Sequence, residues 1–219
     1  MEGIEQGRLV LSGIPCAGPP FSLGISQGFN RHGRMQAGVW AAEGAGKQIH
    51  AGMPVVLEVA GEGAAPVFCG VVKACTAGKE KGQDCLYIEA ETGSILLDME
   101  KVERSFQRQG RSYRELVGEV ASRNHGYPVW GKGAGGEQEC GFLLQYRETD
   151  WEFIRRAASA TGNSILPECR FAGNGFYVGL PDSPGETVLE PVHDTERRRA
   201  PGSIQEDGTI CTGPEYEVR

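Results

Sequence analysis

A mainly β chain with some α, of the α+β class, is predicted by three observations. Between residues 54 and 92, short segments rich in β-branched side chains alternate with turns containing Gly and Pro. The 219-residue chain carries 33 glycines and 12 prolines. That is about double the ordinary glycine share of roughly 7%, and it favours turns and short strands over a helical bundle. Two stretches, 112–121 and 149–158, place apolar residues at helical spacing, and each opens with a capping-box pattern.

Taken in order, IEQGRLVLSGI at 4–14 reads as a first strand, closed by the turn-rich CAGPP at 16–20. Residues 21–25 read as a second short strand, 27–35 as a polar loop, 35–40 as a weakly alternating strand and 43–46 as a turn. PVVLEVA at 54–60 is a strand by its β-branched content. A hairpin-like turn follows at 61–65, and PVFCGVVKA at 66–74 pairs back, with Gly70 marking a bulge or a close backbone approach. Residues 76–83 form a charged loop. Across 85–92, Leu86, Ile88 and Ala90 alternate with Tyr87, Glu89 and Glu91, so one face is buried and the other wet. Such a meander closes as a small β-barrel or packs as a sandwich.

The period then changes. Ser112 and Glu115 have capping-box spacing, and Tyr113, Leu116, Val117, Val120 and Ala121 mark one helical stripe that Asn124 and Gly126 end. The Gly-rich stretch 127–138 reads as a surface loop. A short strand at 142–146 leads into the second helix, where Thr149 and Glu152 repeat the capping box. Asp150 and Glu152 lie at the positive end of that helix dipole. Phe153, Ile154, Ala157 and Ala158 form its apolar face, and Gly162 stops it by accepting a left-handed backbone. Residues 164–167 and 175–180 read as strands joined by a loop at 168–174, and Val188 with Leu189 as one more. Residues 193–209 read as polar loop or tail.

Composition narrows the function. Hydrophobic residues make up 39% and charged residues 23%, as expected for a folded domain. A net charge of −7 gives no global positive field, so nucleic-acid binding is not expected, and Arg197, Arg198 and Arg199 read as solvated. No apolar run approaches the roughly 18–20 residues that cross a bilayer, and the acidic N-terminus has no signal-like core. Synthesis in the cytoplasm without stable membrane insertion is expected. The seven cysteines (16, 69, 75, 85, 140, 169 and 211) are scattered without a C-x-x-C pair, and most read as small buried hydrophobes rather than disulfides or metal ligands.

No active site is nominated. His32, His50, His125 and His193 are far apart and read as exposed loop histidines. No H-E-x-x-H motif occurs. The GAGK at 44–47 lacks the phosphate-loop frame, since Gln48 follows Lys47, and 131–136 follows no suitable strand. Asp98 with Glu100, or Glu148 with Asp150, are the carboxylate pairs a glycosidase would need. Helix capping and solvation account for them more simply. No catalytic, cofactor-binding or metal-binding residue is expected.

Two segments carry a resemblance. ERSFQRQGRSYREL at 103–116 and QYRETDWEFIRRAAS at 145–159 resemble, in that order, signatures of the contractile injection hub family. That family includes the phage late control protein D and the N-terminal part of VgrG proteins. The matching residues are Arg104, Ser105, Phe106, Gln107 and Tyr113, then Gln145, Tyr146, Glu148, Asp150, Trp151 and Phe153. A looser match is the G-x-V of Gly70–Val72 and the leucine-rich link at 95–99. These residues read as a joint: Arg104 pairs with a carboxylate, Phe106 enters the core, Trp151 anchors packing, and Gln145 and Tyr146 pack or hydrogen-bond.

The resemblance implies an N-terminal β-barrel at 1–100, a helix–strand–helix connector at 101–163 and the start of a second β domain with a polar tail at 164–219. It also implies a structural homotrimer whose two barrels per subunit form a pseudo-sixfold ring between the tail tube protein and a spike protein or spike domain. No enzyme activity and no cofactor are implied, and the product is built into a phage tail or tail-like particle. Family members continue into a complete second barrel, so a domain fragment or a shortened protein is expected. The alternatives are a tail-associated cell-wall hydrolase and a stand-alone β binding module.

Overall fold

Alternating apolar side chains draw the N-terminal strands into one antiparallel sheet. The structure, a computed structural model, describes residues 8–42, 44–60, 65–181, 189–191, 209–212 and 216–218. Six strands come first: β1 (Arg8–Ser12), β2 (Ser22–Gly28), β3 (Arg31–Trp40), β4 (Pro54–Ala60), β5 (Ala65–Glu80) and β6 (Gln83–Thr92). After a 3-10 turn at Gly93–Asp98 come β7 (Val102–Phe106), α1 (Tyr113–Ser122), β8 (Gly126–Trp130), β9 (Leu143–Glu148) and α2 (Asp150–Ala160). The last strands are β10 (Ile165–Pro167), β11 (Asn174–Val178), β12 (Leu189–Pro191), β13 (Thr209–Thr212) and β14 (Tyr216–Val218). The chain is therefore mainly β with α, as the sequence predicts.

Two compact units form. The first holds the strands up to Ser26, Gly33–Glu91 and the C-terminal strands; the second holds Gln27–His32 and the chain from Thr92 to Pro181. In the first unit a seven-stranded sheet, ordered β1-β4-β5-β6-β3-β2-β13, curls as a half-barrel. Its core is Met35, Val39, Val55, Leu57, Phe68, Leu86 and Ile88. Burying each such side chain contributes about 1.5–3 kcal/mol. Gly70 is a close approach, as predicted, because a side chain there would collide with the Glu91 carbonyl. The β4–β5 bulge lies instead between Leu57 and Glu58.

Several expectations are corrected. The polar loop at 27–35 is a hairpin: β2 and β3 meet at Phe29 and Asn30, with Asn30 at φ 59°. The small Gly33 stands at one inward position of β3, ahead of Met35 and Ala37, which hid the alternation. The charged loop at 76–83 is also strand. β5 and β6 run past it and turn on Lys81 and Gly82, both at positive φ (50° and 82°), as a primed two-residue hairpin turn requires. Leu86, Ile88 and Ala90 are buried and Tyr87 and Glu89 exposed as expected, but Glu91 is buried too. Its Oε1 accepts from Lys73 Nζ at 2.8 Å and pairs with Arg34 Nε at 3.2 Å, which compensates its burial.

In the second unit the loop expected at 127–138 begins as strand β8, parallel to β11 in the sheet β10-β11-β8. Pro128 is accommodated because β8 is an edge strand. Strands β7 and β9 pair as a separate antiparallel ribbon. The two helices bury Leu116, Val117, Val120 and Ala121 of α1 and Trp151, Phe153, Ile154, Ala157 and Ala158 of α2 in one cluster with Leu97, Phe176 and Val178. Gly162, at φ 76°, follows the end of α2 as predicted. The turn at 61–64, Val188 and the tail at 193–208 lie outside the described residues. Thr209 is not tail but the start of β13, paired with β2, and β14 pairs with β12.

Candidate functional site

The start of α2 is where side chains from several elements converge. Thr149 is its N-cap: the hydroxyl accepts from Glu152 N at 3.1 Å, and the Glu152 carboxylate accepts from Thr149 N at 2.9 Å. This capping box fixes the first helical turn and with it the direction of Asp150. Asp150 is buried, and its carboxylate is fully engaged. Oδ1 accepts from Arg104 Nη1 of β7 at 2.7 Å and from Gln145 Nε2 of β9 at 3.0 Å. Oδ2 accepts from Asn124 Nδ2, just beyond α1, at 2.8 Å. The Asn124 carbonyl in turn accepts from Asn174 Nδ2 of β11 at 2.7 Å. One carboxylate thus ties together β7, β9 and the ends of both helices. Asn124 was legible in the sequence only as a helix stop; its role as a donor needed the fold.

Aromatic packing surrounds this knot. Phe106 stacks on Phe153 at 5.2 Å, and the Arg111 guanidinium lies over Phe106. Trp151 is buried, edge-on to Phe176 at 5.9 Å and 4.4 Å from the ring of His32. His32 is therefore not an exposed loop histidine. Its Nδ1 lies 2.9 Å from Ser94 Oγ and its Nε2 3.2 Å from Asp98 Oδ2, while Asp98 also accepts from the Thr149 hydroxyl. The Ser94–His32–Asp98 order has the connectivity of a nucleophile relay. Ser94, however, is 1% exposed, so no substrate reaches its hydroxyl, and the chain of bonds serves to satisfy buried polar groups.

The remaining signature residues separate from the knot. Tyr113 packs half-buried against the core. Ser105, Gln107 and Tyr146 face solvent. Glu148 is held by Arg156, with contacts of 2.9 and 2.6 Å, rather than serving as a cap. The Glu148 carboxylate beside Arg156 raises the guanidinium pKa further above its already high value. The two carboxylate pairs weighed for glycosidase chemistry are thus absorbed, with Asp98, Glu148 and Asp150 all bound to neighbouring side chains. Among the described residues no three potential metal ligands cluster, and no helix is long and apolar enough to cross a membrane.

The model of the phage tail baseplate hub (GPD) family matches residues 37–166, from within β3 to β10 and across the whole knot. The chain belongs to this baseplate hub family. Solved structures agree on the hub fold. The 43 kDa tail protein of prophage MuSo2 from Shewanella oneidensis superposes with a TM-score of 0.60 at 11% identity, covering 80% of this chain and 56% of its own. A tail protein from Neisseria meningitidis MC58 gives 0.59 at 15% identity, with coverages of 88% and 62%. The E. coli c3393 protein, a component of the type VI secretion system with structural similarity to the T4 tail proteins gp27 and gp5, gives 0.56 at 13%, with coverages of 78% and 48%. The hub-family chain thus spans about half to three fifths of the length of these proteins. No curated protein sequence matches it significantly.

Proposed function

We propose that this chain is a structural part of a contractile tail hub, assembling as a homotrimeric ring that joins the tail tube to a spike. The observation that carries the reading is the family match across residues 37–166, which takes in strands β4 to β6 of the sheet and the Asp150 knot. The tail and secretion proteins that share its fold support the same setting.

In this reading the chemistry is mechanical. The knot of Arg104, Gln145, Asn124 and Asp150 makes the β7–β9 ribbon and both helices one rigid joint, since buried charge held by several hydrogen bonds resists rearrangement. The inward signature residues, Arg104, Phe106, Gln145, Asp150, Trp151 and Phe153, act as a structural joint and not as reacting groups. Rings of identical subunits repeat one interface, and unpaired edge strands supply such interfaces. In the seven-stranded sheet β1 is an edge among the described residues. The natural product is built into a phage tail or tail-like particle after cytoplasmic synthesis, with the tube protein and a spike as neighbours.

The test is the mass of the purified natural product in solution, read beside a variant with a proline in β1 at Val10. A trimer that the proline dissociates supports the ring. A monomer at every concentration, together with an absence from sedimented tail particles, would instead favour a stand-alone β module.

A further inference from the structure

The second unit carries a surface that neither the core nor the knot explains. A cleft of about 480 Å³ lies along the outer side of α2, lined by Lys101, Arg147, Glu148, Glu152, Arg155 and Arg156. Its two carboxylates are engaged within the chain: Glu148 by Arg156, and Glu152 by the Thr149 backbone N–H. Its cations are not matched in the same way. Lys101 and Arg155 are exposed and have no ionic or hydrogen-bond partner among the described residues. Arg147 reaches Glu103 only at 3.6 Å, with both side chains well exposed. With Lys101, Arg147, Arg155 and Arg156 set against Glu148 and Glu152, this is a local positive surface on a protein whose net charge is −7.

Beside it lies an apolar stripe. β9 turns Leu143 and Gln145 inward and Leu144 and Tyr146 outward, at 47% and 55% exposure, and Phe142, just before the strand, is 63% exposed. A half-buried strand ordinarily places polar residues on its wet face, so a run of three large apolar side chains there marks a contact surface. Arg147 joins stripe and cleft, since its guanidinium lies 5.4 Å from the Tyr146 ring centre while it also lines the cleft. It does so from a strained backbone. Arg147 is the extra residue where the β7–β9 register shifts, at φ 53°, a conformation that glycine fills without cost. Strain of this kind persists where the surroundings hold it for a purpose.

We propose that this surface docks an acidic segment of a neighbouring protein, its carboxylates on Lys101, Arg155 and Arg147 and its apolar side chains on Phe142, Leu144 and Tyr146. Peptide is favoured over nucleic acid because Glu148 and Glu152 stand in the lining, where a continuous phosphate backbone is repelled and spaced carboxylates are not. Backbone pairing along β9 is not the mode, because Arg156 Nη2 already donates to the Leu144 carbonyl at 2.7 Å. Recognition is through side chains. This inference goes beyond the ring assembly and does not depend on it.

The experiment is fluorescence anisotropy with a short labelled peptide of glutamates interleaved with leucine and phenylalanine. The same peptide with lysines for glutamates and a single-stranded oligonucleotide serve as competitors. The acidic peptide binds and is released by salt. Lys101→Glu with Arg155→Glu weakens it about tenfold or more, because two attractive charge pairs become repulsive. Phe142→Ser with Tyr146→Ser weakens it separately, and both variants keep the wild-type urea midpoint because the changed side chains are exposed. Binding no tighter than that of the lysine peptide, equal binding by the charge-reversed variant, or displacement by the oligonucleotide at equal concentration would each overturn the proposal.

Discussion

At the residue scale the central object is Asp150, buried with three donors on its two oxygens. Removing one partner of a buried ion pair costs about 3–5 kcal/mol. Arg104 is a quarter exposed, and Gln145 and Asn124 remain, so Arg104→Ala is expected to cost less, about 2–3 kcal/mol, read from urea denaturation. Arg104→Ala and Asp150→Ala combined should cost clearly less than their sum, since each leaves the other's burial uncompensated. Additive losses would show that the pair is not the tie. Arg147 runs the other way. A non-glycine residue in the left-handed region costs about 1–2 kcal/mol, and glycine's extra freedom about 0.5–1, so Arg147→Gly should stabilise the fold by up to about 1 kcal/mol. Its exposed pair with Glu103 offsets little of this. A loss of stability would mean that Arg147 makes a contact worth more than its strain.

At the scale of elements, both helices were legible because their signals are local. Each capping box forms as its spacing requires, Ser112 with Glu115 and Thr149 with Glu152, and the apolar stripes are the buried faces. Thr149→Ala should cost more than Ser112→Ala, about 2 against about 1 kcal/mol, because the Thr149 hydroxyl also donates to Asp98. Equal losses in melting experiments would remove Asp98 from the account. The strands were legible only where alternation is apolar, as in β4 and the middle of β6. The 27–35 hairpin and the far half of β5 were missed because their outward residues are charged and their inward ones small, so local polarity imitates a loop. β8 was missed because Gly126 and Pro128 read as loop residues, although its parallel pairing with β11 comes from distant sequence. The burial of Glu91 has the same origin, since its partners Arg34 and Lys73 stand on neighbouring strands. Of the site, Arg104, Gln145 and Asp150 were marked by the family's signature and Arg104 was expected to meet a carboxylate. That the carboxylate is Asp150, and that Asn124 closes the set, depends on contacts between residues up to 46 positions apart.

At the scale of the whole molecule, the order β1-β4-β5-β6-β3-β2-β13 shows what sequence order alone misses. The expected meander is real only for β4, β5 and β6, and the β2–β3 hairpin joins it on the far side of β6. The proposed function makes the chain a hub subunit of a tail. Quantitative mass spectrometry of sedimented tail-like particles from the producing cell tests it most directly, with copy number set against the tube protein. About three copies per particle is the result the ring predicts. Particles that contain tube protein but none of this chain, with all of it left in the soluble fraction, would contradict it.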